Sequence, residues 1–424
     1  MDRVNAEIIA VGSELLTPAR VDTNSLVITE RLNEIGIALQ GKSVAGDDPR
    51  MLKAIAAQAL ARADLLILTG GLGPTDDDVT RNVVADLLDL PLEFHAEVFA
   101  GIEKRFAARG LRAPGINKRQ AMVPRDAVIL ENKYGTAPGL WIEREGKVVI
   151  LLPGPPREMR PMLEAVIRDR LGKVAGASRM SRRILRVTGR TESHVEEAVQ
   201  PLYARWLAAR LPIAATILAS PGQIELHLTV SGTDVKELQA ALDAAADETR
   251  AVLGLDLFSA DGEEMPQVVG ALLRARGLRI AVAESCTGGL VMSRLTDMPG
   301  SSEYVERGVV VYSNQSKTDL LGVPEPLLDA HGAVSEPVAE AMASGMARTA
   351  GTALALGITG IAGPSGGTPA KPVGTVAIAA AWVRGGKTDT RVRMFNFFGG
   401  RELVKFQASQ AALDMIRRWM LEAG

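Results

Sequence analysis

The sequence has few of the residues that cross-link chains or hold metals. It contains one cysteine, Cys286, and four histidines among 424 residues. A single cysteine excludes an internal disulfide, and four scattered histidines argue against a Cys/His zinc cage. The formal net charge is only −2. No global electric field therefore draws the chain to nucleic acid or to a membrane surface.

Long apolar runs are also missing. The longest runs, such as residues 373–383, are well short of the ~20 residues needed to span a bilayer. The first residues, MDRVNAEIIAVGSELL, lack the ordered charged, apolar and cleavage-site regions of a signal peptide. With 47% hydrophobic and 23% charged residues, the chain has the composition of a globular protein. We expect a cytoplasmic protein of two or three domains that does not bind a membrane.

The first region alternates predicted strands and helices. Residues 6–11, 64–68 and 147–152 are apolar runs typical of buried strands, while residues 27–35 and 51–62 repeat apolar side chains at helical spacing. A helix over about 158–171 closes the region. This alternation predicts an α/β domain with a parallel sheet covered by helices.

A basic stretch without acids, residues 173–190, follows and carries Arg179, Arg182, Arg183 and Arg186. We interpret its start as a linker. Strands over 184–187 and 223–230 and helices over 194–206 and 235–253 then predict a small α+β module. A third domain begins near Pro266. The predicted domains are residues 1–172, 173–257 and 265–424.

Three segments of the last domain share one design, an apolar strand that ends in a turn of small polar residues. They are residues 280–289 (IAVAESCTGG), 309–317 (VVVYSNQSK) and 354–367 (LALGITGIAGPSGG). In open parallel sheets, ligands bind beyond the carboxyl ends of the strands. We therefore expect all three turns to line one cleft.

Ser285 is predicted to lie where a helix begins, so that free backbone N–H groups could stabilise an oxyanion. No histidine lies in the three turns, which leaves Lys317 as the candidate base, since a desolvated lysine loses its proton more readily. Tyr312 is a candidate to relay the proton or to hold the lysine neutral. Two alternatives stay open: Ser285 as a simple helix N-cap, and Cys286 as the nucleophile.

The glycine-rich loop of the third segment can cradle a phosphate, because glycines let backbone N–H groups approach an anion. It lacks the Gly-Lys-Ser/Thr ending of an ATP-binding P-loop. Arg401, in GGRE, places a cation and free N–H groups at one helix start and is a second phosphate candidate. A surface ion pair of Arg401 with an acid is the alternative.

These motifs, in this order, resemble the nicotinamide mononucleotide deamidase domain of the CinA family over roughly residues 267–424. The resemblance implies a serine–lysine amidohydrolase that needs no cofactor and converts nicotinamide mononucleotide to nicotinate mononucleotide and ammonia. It implies Ser285 as nucleophile, Lys317 as base and Tyr312 as an assisting hydroxyl. The implied substrate contacts are Thr287, Gly288, Asn314, Thr359, Gly360, Gly363 and Arg401.

The N-terminal region carries LTGGLGPTDDDVTR at residues 68–81. Its glycines, Gly70, Gly71 and Gly73, would let backbone approach a phosphate, and Asp76, Asp77 and Asp78 (DDD) could hold a divalent ion against it. The alternative is that the acids only favour a helix start. Pro74 and Thr75 break the spacing of a dinucleotide fingerprint.

This motif with AEIIAVGSELL, NKYGTAPG and LLPGPPREM resembles the molybdopterin-binding-like, three-layer α/β domain of CinA proteins, over about residues 4–171. The resemblance implies cleavage of ADP-ribose with a divalent metal (Mg, Mn or Co). The implied ligand residues are Gly12, Ser13, Glu14, the turn from Gly70 to Asp78 with Thr75, and Gly135, Thr136 and Gly154. A molybdopterin-handling or purely ligand-sensing domain stays the alternative.

The middle region resembles the KH-type module of CinA proteins. TGRTES at residues 188–193 does not supply the GXXG loop that clamps nucleic acid, so we expect a spacer. The family implies a homodimer. Two functional hypotheses follow: a bifunctional pyridine-nucleotide salvage hydrolase, or a competence and DNA-damage adaptor that acts through partners such as RecA. The serine, lysine and glycine-loop set favours the enzyme.

Overall fold

The computed structural model describes residues 4–172 and 179–423. Contacts divide the described chain into two compact units. One unit comprises the described residues up to Ser181 together with Val230–Gln239, and the other comprises Arg182–Thr229 and the described residues from Ala240 onward. The predicted linker at residue 173 falls on 173–178, which lie outside the described residues.

The first unit is built on a six-stranded sheet with the order β2-β1-β3-β8-β7-β6. Its strands are β1 (Asn5–Val11), β2 (Ala38–Ala45), β3 (Leu65–Thr69), β6 (Val128–Leu130), β7 (Gly139–Arg144) and β8 (Lys147–Leu152), and a separate pair is formed by β4 (Leu92–Phe94) and β5 (Met122–Pro124). Its helices are α1 (Asn24–Glu34), α2 (Pro49–Arg62), α3 (Thr80–Leu87), α4 (Ala96–Ala107) and α5 (Pro156–Val166).

Two apolar layers cover this sheet, as the almost completely buried strands β1 and β3 require. One face packs on α1 and α5, and the other packs on α2 and α3. The predicted three-layer α/β fold is therefore confirmed. The sheet is parallel from β2 to β8, as expected. The pairs β8/β7 and β7/β6 are antiparallel, a feature that the sequence did not predict.

The middle module has a four-stranded sheet with the order β10-β11-β9-β12. Its elements are β9 (Arg179–Val187), α6 (Glu192–Ala208), β10 (Ile213–Ser220), β11 (Gln223–Gly232), α7 (Val235–Leu253) and β12 (Leu257–Ser259). The α+β prediction is confirmed. Arg183 pairs with Asp243 and Asp261, and Arg186 pairs with Glu225 and Glu264, so acids balance these two arginines of the basic stretch.

The last domain has a five-stranded sheet with the order β14-β13-β15-β16-β17. The strands are β13 (Ile280–Glu284), β14 (Val305–Val310), β15 (Leu354–Gly360), β16 (Thr375–Arg384) and β17 (Lys387–Asn396). The helices are α8 (Met265–Ala275), α9 (Leu290–Thr296), α10 (Asn314–Leu321), α11 (Glu325–His331), α12 (Glu336–Ala350) and α13 (Arg401–Glu422).

Helices cover both faces of this sheet too. The helices α8, α9 and α13 pack on one face, and α10, α11 and α12 pack on the other. β13 pairs in parallel with β14 and β15, whereas β16 and β17 form an antiparallel hairpin. Residues 375–383, part of the longest apolar run, are thus a buried strand. Among the described helices, none combines the length and apolarity that a membrane crossing requires.

Candidate functional site

The first candidate site lies at the carboxyl end of β13, the strand between β14 and β15. Ser285 follows this strand directly, and its backbone N–H donates to the Ile358 carbonyl at 2.9 Å. Because these strands are parallel, the turns after β13, β14 and β15 open at the same edge of the sheet. The expectation that they line one cleft agrees with the side-chain contacts between them.

Lys317 contacts Ser285 within this cleft. Its Nζ donates to Ser285 Oγ at 3.4 Å, to the Val311 carbonyl at 3.1 Å and to the Tyr312 and Ser313 carbonyls at 3.4 Å each. The exposed fraction of Ser285 is 7% and that of Lys317 is 1%. In the described part of the chain no carboxylate pairs with this ammonium. Burial lowers the pKa of Lys317 below its ordinary value, which is the shift that a lysine base needs.

Glu284 has a structural role beside the serine. Its fully buried carboxylate accepts the backbone N–H groups of Gly289, Val291 and Met292 at 3.0, 3.1 and 2.9 Å. These bonds direct the carboxylate to the start of α9, so it does not serve as a counterion for Lys317.

The helix begins at Leu290, five positions after Ser285, so the expectation that it begins at the serine was wrong. Glu284 already occupies three N–H groups at its start. The N–H groups of Cys286 and Thr287 have no backbone carbonyl acceptor within the described chain. They contact the Cys286 sulfur instead, which is a weak acceptor, so they are the better oxyanion donors.

Cys286 is a poor rival nucleophile. Burial raises the pKa of its thiol to about 12, so that the thiolate is scarce at neutral pH. The next residue, Thr287, is fully buried, and its hydroxyl has no hydrogen-bond partner among the described residues. The turn after Ser285 therefore contains an inert thiol and one unsatisfied hydroxyl.

Arg401 joins two of the predicted ligand segments. From the start of α13, one Nη donates to the Gly363 carbonyl at 2.9 Å and the other donates to the Tyr312 hydroxyl at 3.2 Å. Tyr312 is 62% exposed, and its hydroxyl contacts Arg401 rather than Ser285 or Lys317. The proton-relay role of Tyr312 has no direct contact to support it.

The remaining predicted contacts are spread around the cleft. Thr359 donates its hydroxyl hydrogen to the Ala333 carbonyl at 2.8 Å, so a phosphate contact requires this hydroxyl to rotate. A side chain on Gly360 would lie 3.0 Å from Cys286 Sγ, which shows how closely these two turns pack. Asn314 is exposed at the first position of α10.

The second candidate site is a cleft of about 380 Å³ in the first unit. It is lined by most of the predicted ligand residues, and also by side chains that the sequence did not single out. The predicted lining residues are Gly12, Glu14, Gly70, Gly71, Gly73, Asp77, Asp78, Thr136 and Gly154. The residues that sequence reasoning missed are Asp47, Gln120 and Glu158.

The predicted ligand residues that do not line this cleft support its loops. Ser13 and Asp47 exchange two hydrogen bonds, at 2.8 and 3.1 Å. The Gly135 N–H donates to Asn132 Oδ1 at 2.8 Å. Asn24, which sequence reasoning also missed, donates to the Gly154 carbonyl at 2.7 Å.

Among the three consecutive aspartates, Asp76 and Asp78 contact different partners. Asp76 pairs with Arg119. Asp78 accepts the N–H groups of Gly73 and Thr75 at 2.7 and 2.9 Å. The glycine turn thus already holds an anion, the carboxylate of Asp78. These acids precede α3, which begins at Thr80.

The carboxylates of this cleft do not form a ready metal site. Within residues 4–172 and 179–423, no three His, Cys, Asp or Glu side chains converge as metal ligands. The donor set is nevertheless acidic, with Glu14, Asp47, Asp77 and Glu158 along the cleft.

Comparison with known proteins gives three family matches in order along the chain. They are a probable molybdopterin binding domain over residues 7–173, a damage-inducible protein CinA KH domain over 182–259, and a CinA C-terminal domain over 262–420. A CinA-like protein of Koribacter versatilis is 45% identical over 424 residues, covering 98% of this chain and 100% of its own. The chain belongs to the CinA family.

The three family matches and the full-length relatives confirm the family assignment made from the motifs. A competence-damage inducible protein of Symbiobacterium thermophilum is 44% identical, covering 98% of this chain and 99% of its own. A solved structure of the protein CinA from Thermoplasma acidophilum is 34% identical, covers 39% of this chain and 98% of its own, and has a TM-score of 0.37.

One residue of the CinA C-terminal domain stands out that sequence reasoning missed. Lys405 follows Arg401 by one turn of α13, and its ammonium lies 3.6 Å from where a side chain on Gly288 would begin. Lys405 has no hydrogen bond or ion pair within the described chain. The spacing of Arg401 and Lys405, four positions on one helix, was the signal that could have identified it.

Proposed function

We propose that the C-terminal domain is a serine–lysine amidohydrolase that converts nicotinamide mononucleotide to nicotinate mononucleotide and ammonia. The observation that carries the proposal is the buried 3.4 Å contact between Lys317 Nζ and Ser285 Oγ, formed without a carboxylate beside the lysine. Neutral lysine can accept the serine proton, whereas a lysine paired with a carboxylate would stay charged.

The proposed reaction uses the same two side chains twice. Lys317 takes the proton of Ser285 as Oγ attacks the amide carbon, and the N–H groups of Cys286 and Thr287 would exchange their weak contact with the Cys286 sulfur for the resulting oxyanion. The lysine ammonium then gives its proton to the departing ammonia. A water molecule, deprotonated by Lys317, attacks the acyl-serine, and nicotinate mononucleotide leaves as Ser285 regains its proton.

The basic residues Arg401 and Lys405 of α13 would bind the substrate phosphate. The Arg401 guanidinium is already held at the cleft by Gly363 and Tyr312, and the Lys405 ammonium lies close to Gly288. Both lie at the start of a helix whose dipole favours an anion. The phosphate held there would leave the nicotinamide end of the substrate to reach the serine.

Replacing Ser285 tests this proposal. We expect Ser285→Ala to lower ammonia release from nicotinamide mononucleotide by several orders of magnitude, because the nucleophile of a catalytic unit is lost. Cys286→Ala is the matched control one residue away, and it should keep most of the activity. An alanine variant at 285 that retains a tenth of the wild-type rate would show that Ser285 is not the nucleophile.

We also propose that the N-terminal cleft binds and cleaves the diphosphate of ADP-ribose. The observation that favours this proposal is the cleft beside Gly70, Gly71 and Gly154. Backbone segments pack closely together there, since a Cβ on Gly70 would lie 2.1 Å from the Val11 carbonyl oxygen. AMP and ribose 5-phosphate should appear on incubation with ADP-ribose. A screen that also includes a pterin separates this proposal from a molybdopterin-handling role.

A further inference from the structure

The second unit contains a cavity of about 620 Å³ between the middle module and the C-terminal domain. The turns at residues 188–190 and 220–224 line one side, and β17 and α13 line the other. Its volume lies in the range of small-molecule sites. Neither Ser285 nor Lys317 lines it, so it is distinct from the proposed deamidase cleft.

The charges of the lining leave one cation without a partner. Asp256 is paired with Arg190 and Arg418, Asp414 is paired with Arg418, and Glu422 is paired with Arg391. Arg393 has no carboxylate partner within the described chain. Its guanidinium lies 4.8 Å from the ring centroid of Phe395. The lining therefore offers one uncompensated positive charge to an anionic group.

Two aromatic rings lie beside this charge. The rings of Phe395 and Phe397 are stacked on each other, with their centroids 5.4 Å apart and their planes inclined by 8°. Both side chains are half-buried and line the cavity. Because Arg393 and Phe397 cover the faces of the Phe395 ring, the two rings offer their edges to a ligand. The face of a planar ligand ring can pack on such edges in the edge-to-face geometry that aromatic pairs favour.

A buried amide donor points into the same cavity. Gln410 is 1% exposed, and its Oε1 accepts a hydrogen bond from buried Arg294 at 2.7 Å. Because arginine only donates, this bond fixes the amide orientation and turns Nε2 away. The contact of Nε2 with Gln223 Oε1 is 3.5 Å, at the limit of a hydrogen bond. A buried donor held this loosely can take an acceptor from a ligand.

We propose that this cavity binds a planar heteroaromatic anion of the size of a nucleoside monophosphate. The ring packs its face against the edges of Phe395 and Phe397, a ring acceptor atom takes the Gln410 amide hydrogen, and the anionic group lies at Arg393. Binding here does not depend on the proposed deamidase or diphosphatase activities, and it is measured without either of them.

Hydrogen exchange of the full chain locates the site. AMP is the probe, and it should protect amides of the 188–190 turn, the 220–224 turn and β17. In Arg393→Gln this protection should need at least tenfold more AMP. Arg384→Gln is the matched control, because Arg384 makes the same contact with Trp382, at 4.7 Å, outside the cavity. Its protection should equal that of the wild type.

Two further ligands test the contact with the ring and the contact with the charge separately. Adenosine lacks the charge and ribose 5-phosphate lacks the ring, so each should protect these segments at least tenfold more weakly than AMP. Equal protection by ribose 5-phosphate would overturn the role of the phenylalanines. Protection that is unchanged in Arg393→Gln, or absent with AMP, GMP, CMP and UMP at millimolar concentration, would overturn the site.

Discussion

The Lys317 ammonium is surrounded by oxygen atoms that carry no full charge: three backbone carbonyls and the Ser285 hydroxyl. Because burial lowers its pKa, the neutral fraction of Lys317 grows as pH rises through that lowered pKa. The deamidase rate should therefore rise with pH and level off above it. A pH–rate profile of kcat/KM from mildly acidic to alkaline pH measures this.

Two substitutions accompany this profile. Lys317→Arg should be inactive at every pH, because guanidinium stays charged. Glu284→Gln should leave the midpoint of the profile unchanged, because the carboxylate binds the start of α9 and not the lysine. A flat wild-type profile, or an active Lys317→Arg, would mean that another group takes the serine proton.

Lys405 should bind the phosphate of the substrate and take no part in the chemistry. A hydrogen bond to a charged group contributes about 1.5–3 kcal/mol, which corresponds to roughly tenfold or more in affinity. We expect Lys405→Met to raise KM for nicotinamide mononucleotide about tenfold with little change in kcat. Nicotinamide riboside, which lacks the phosphate, should be affected little.

The control for Lys405 is Lys387→Met, at the exposed start of β17. It removes the same charge from the same domain and should leave both substrates unchanged. An equal loss with the mononucleotide and the riboside in Lys405→Met would show that this lysine supports the fold of the cleft instead.

At the scale of an element, the turn between β3 and α3 depends on one carboxylate. Asp78 binds the Gly73 and Thr75 N–H groups and the Thr75 hydroxyl, whereas Asp76 contacts exposed Arg119. We expect Asp78→Asn to destabilise the protein by about 1–3 kcal/mol, since a charged acceptor of several bonds is lost. Asp76→Asn should cost less than about 1 kcal/mol.

Thermal unfolding and ADP-ribose cleavage measure these variants together. Asp78→Asn should lose both stability and cleavage, while Asp77→Asn, at the cleft wall, should lose cleavage alone. Equal stability of Asp76→Asn and Asp78→Asn would show that the turn does not rest on Asp78.

For two elements, the sequence pattern alone was sufficient to predict the bounds. Residues 147–152 and 235–253 were predicted as elements, and β8 and α7 have these bounds, because apolar periodicity marks a buried strand or helix face. Apolar periodicity does not indicate the direction in which a strand runs within the sheet. The antiparallel strand β16 is as buried as its parallel neighbour β15, so the antiparallel pairs were not predicted.

At the scale of the whole molecule, the two proposed activities should respond separately to a chelator. A diphosphate entering the N-terminal cleft meets the carboxylates of Glu14, Asp47 and Glu158. Because these carboxylates do not converge as metal ligands among the described residues, a divalent cation that offsets their repulsion would have to enter bound to the diphosphate itself. Exhaustive chelation should therefore abolish ADP-ribose cleavage and leave ammonia release unchanged. Diphosphatase activity that persists in full after chelation would contradict this.

The sequence predicted which segments meet at the proposed deamidase cleft, but not which hydrogen bonds their side chains form. Strand ends of a parallel sheet share one edge, so Ser285 and Lys317 could be placed together in advance. The hydrogen bonds within the cleft could not, since Glu284 and Asp78 are bound to backbone N–H groups that a sequence does not orient. The same holds for Lys405, whose neighbour Gly288 lies more than a hundred positions earlier.

The position of α13 along the chain has a consequence for the order of synthesis. Ser285 and Lys317 are separated by 32 positions, but Arg401 and Lys405 are translated only after every strand of the sheet. A nascent chain that has just completed β17 lacks both cations of α13 and also the helix that covers one face of its sheet. Because domains generally fold as units, we expect the serine–lysine pair and the two cations to come together in one step, when the final helix leaves the ribosome and docks on the sheet.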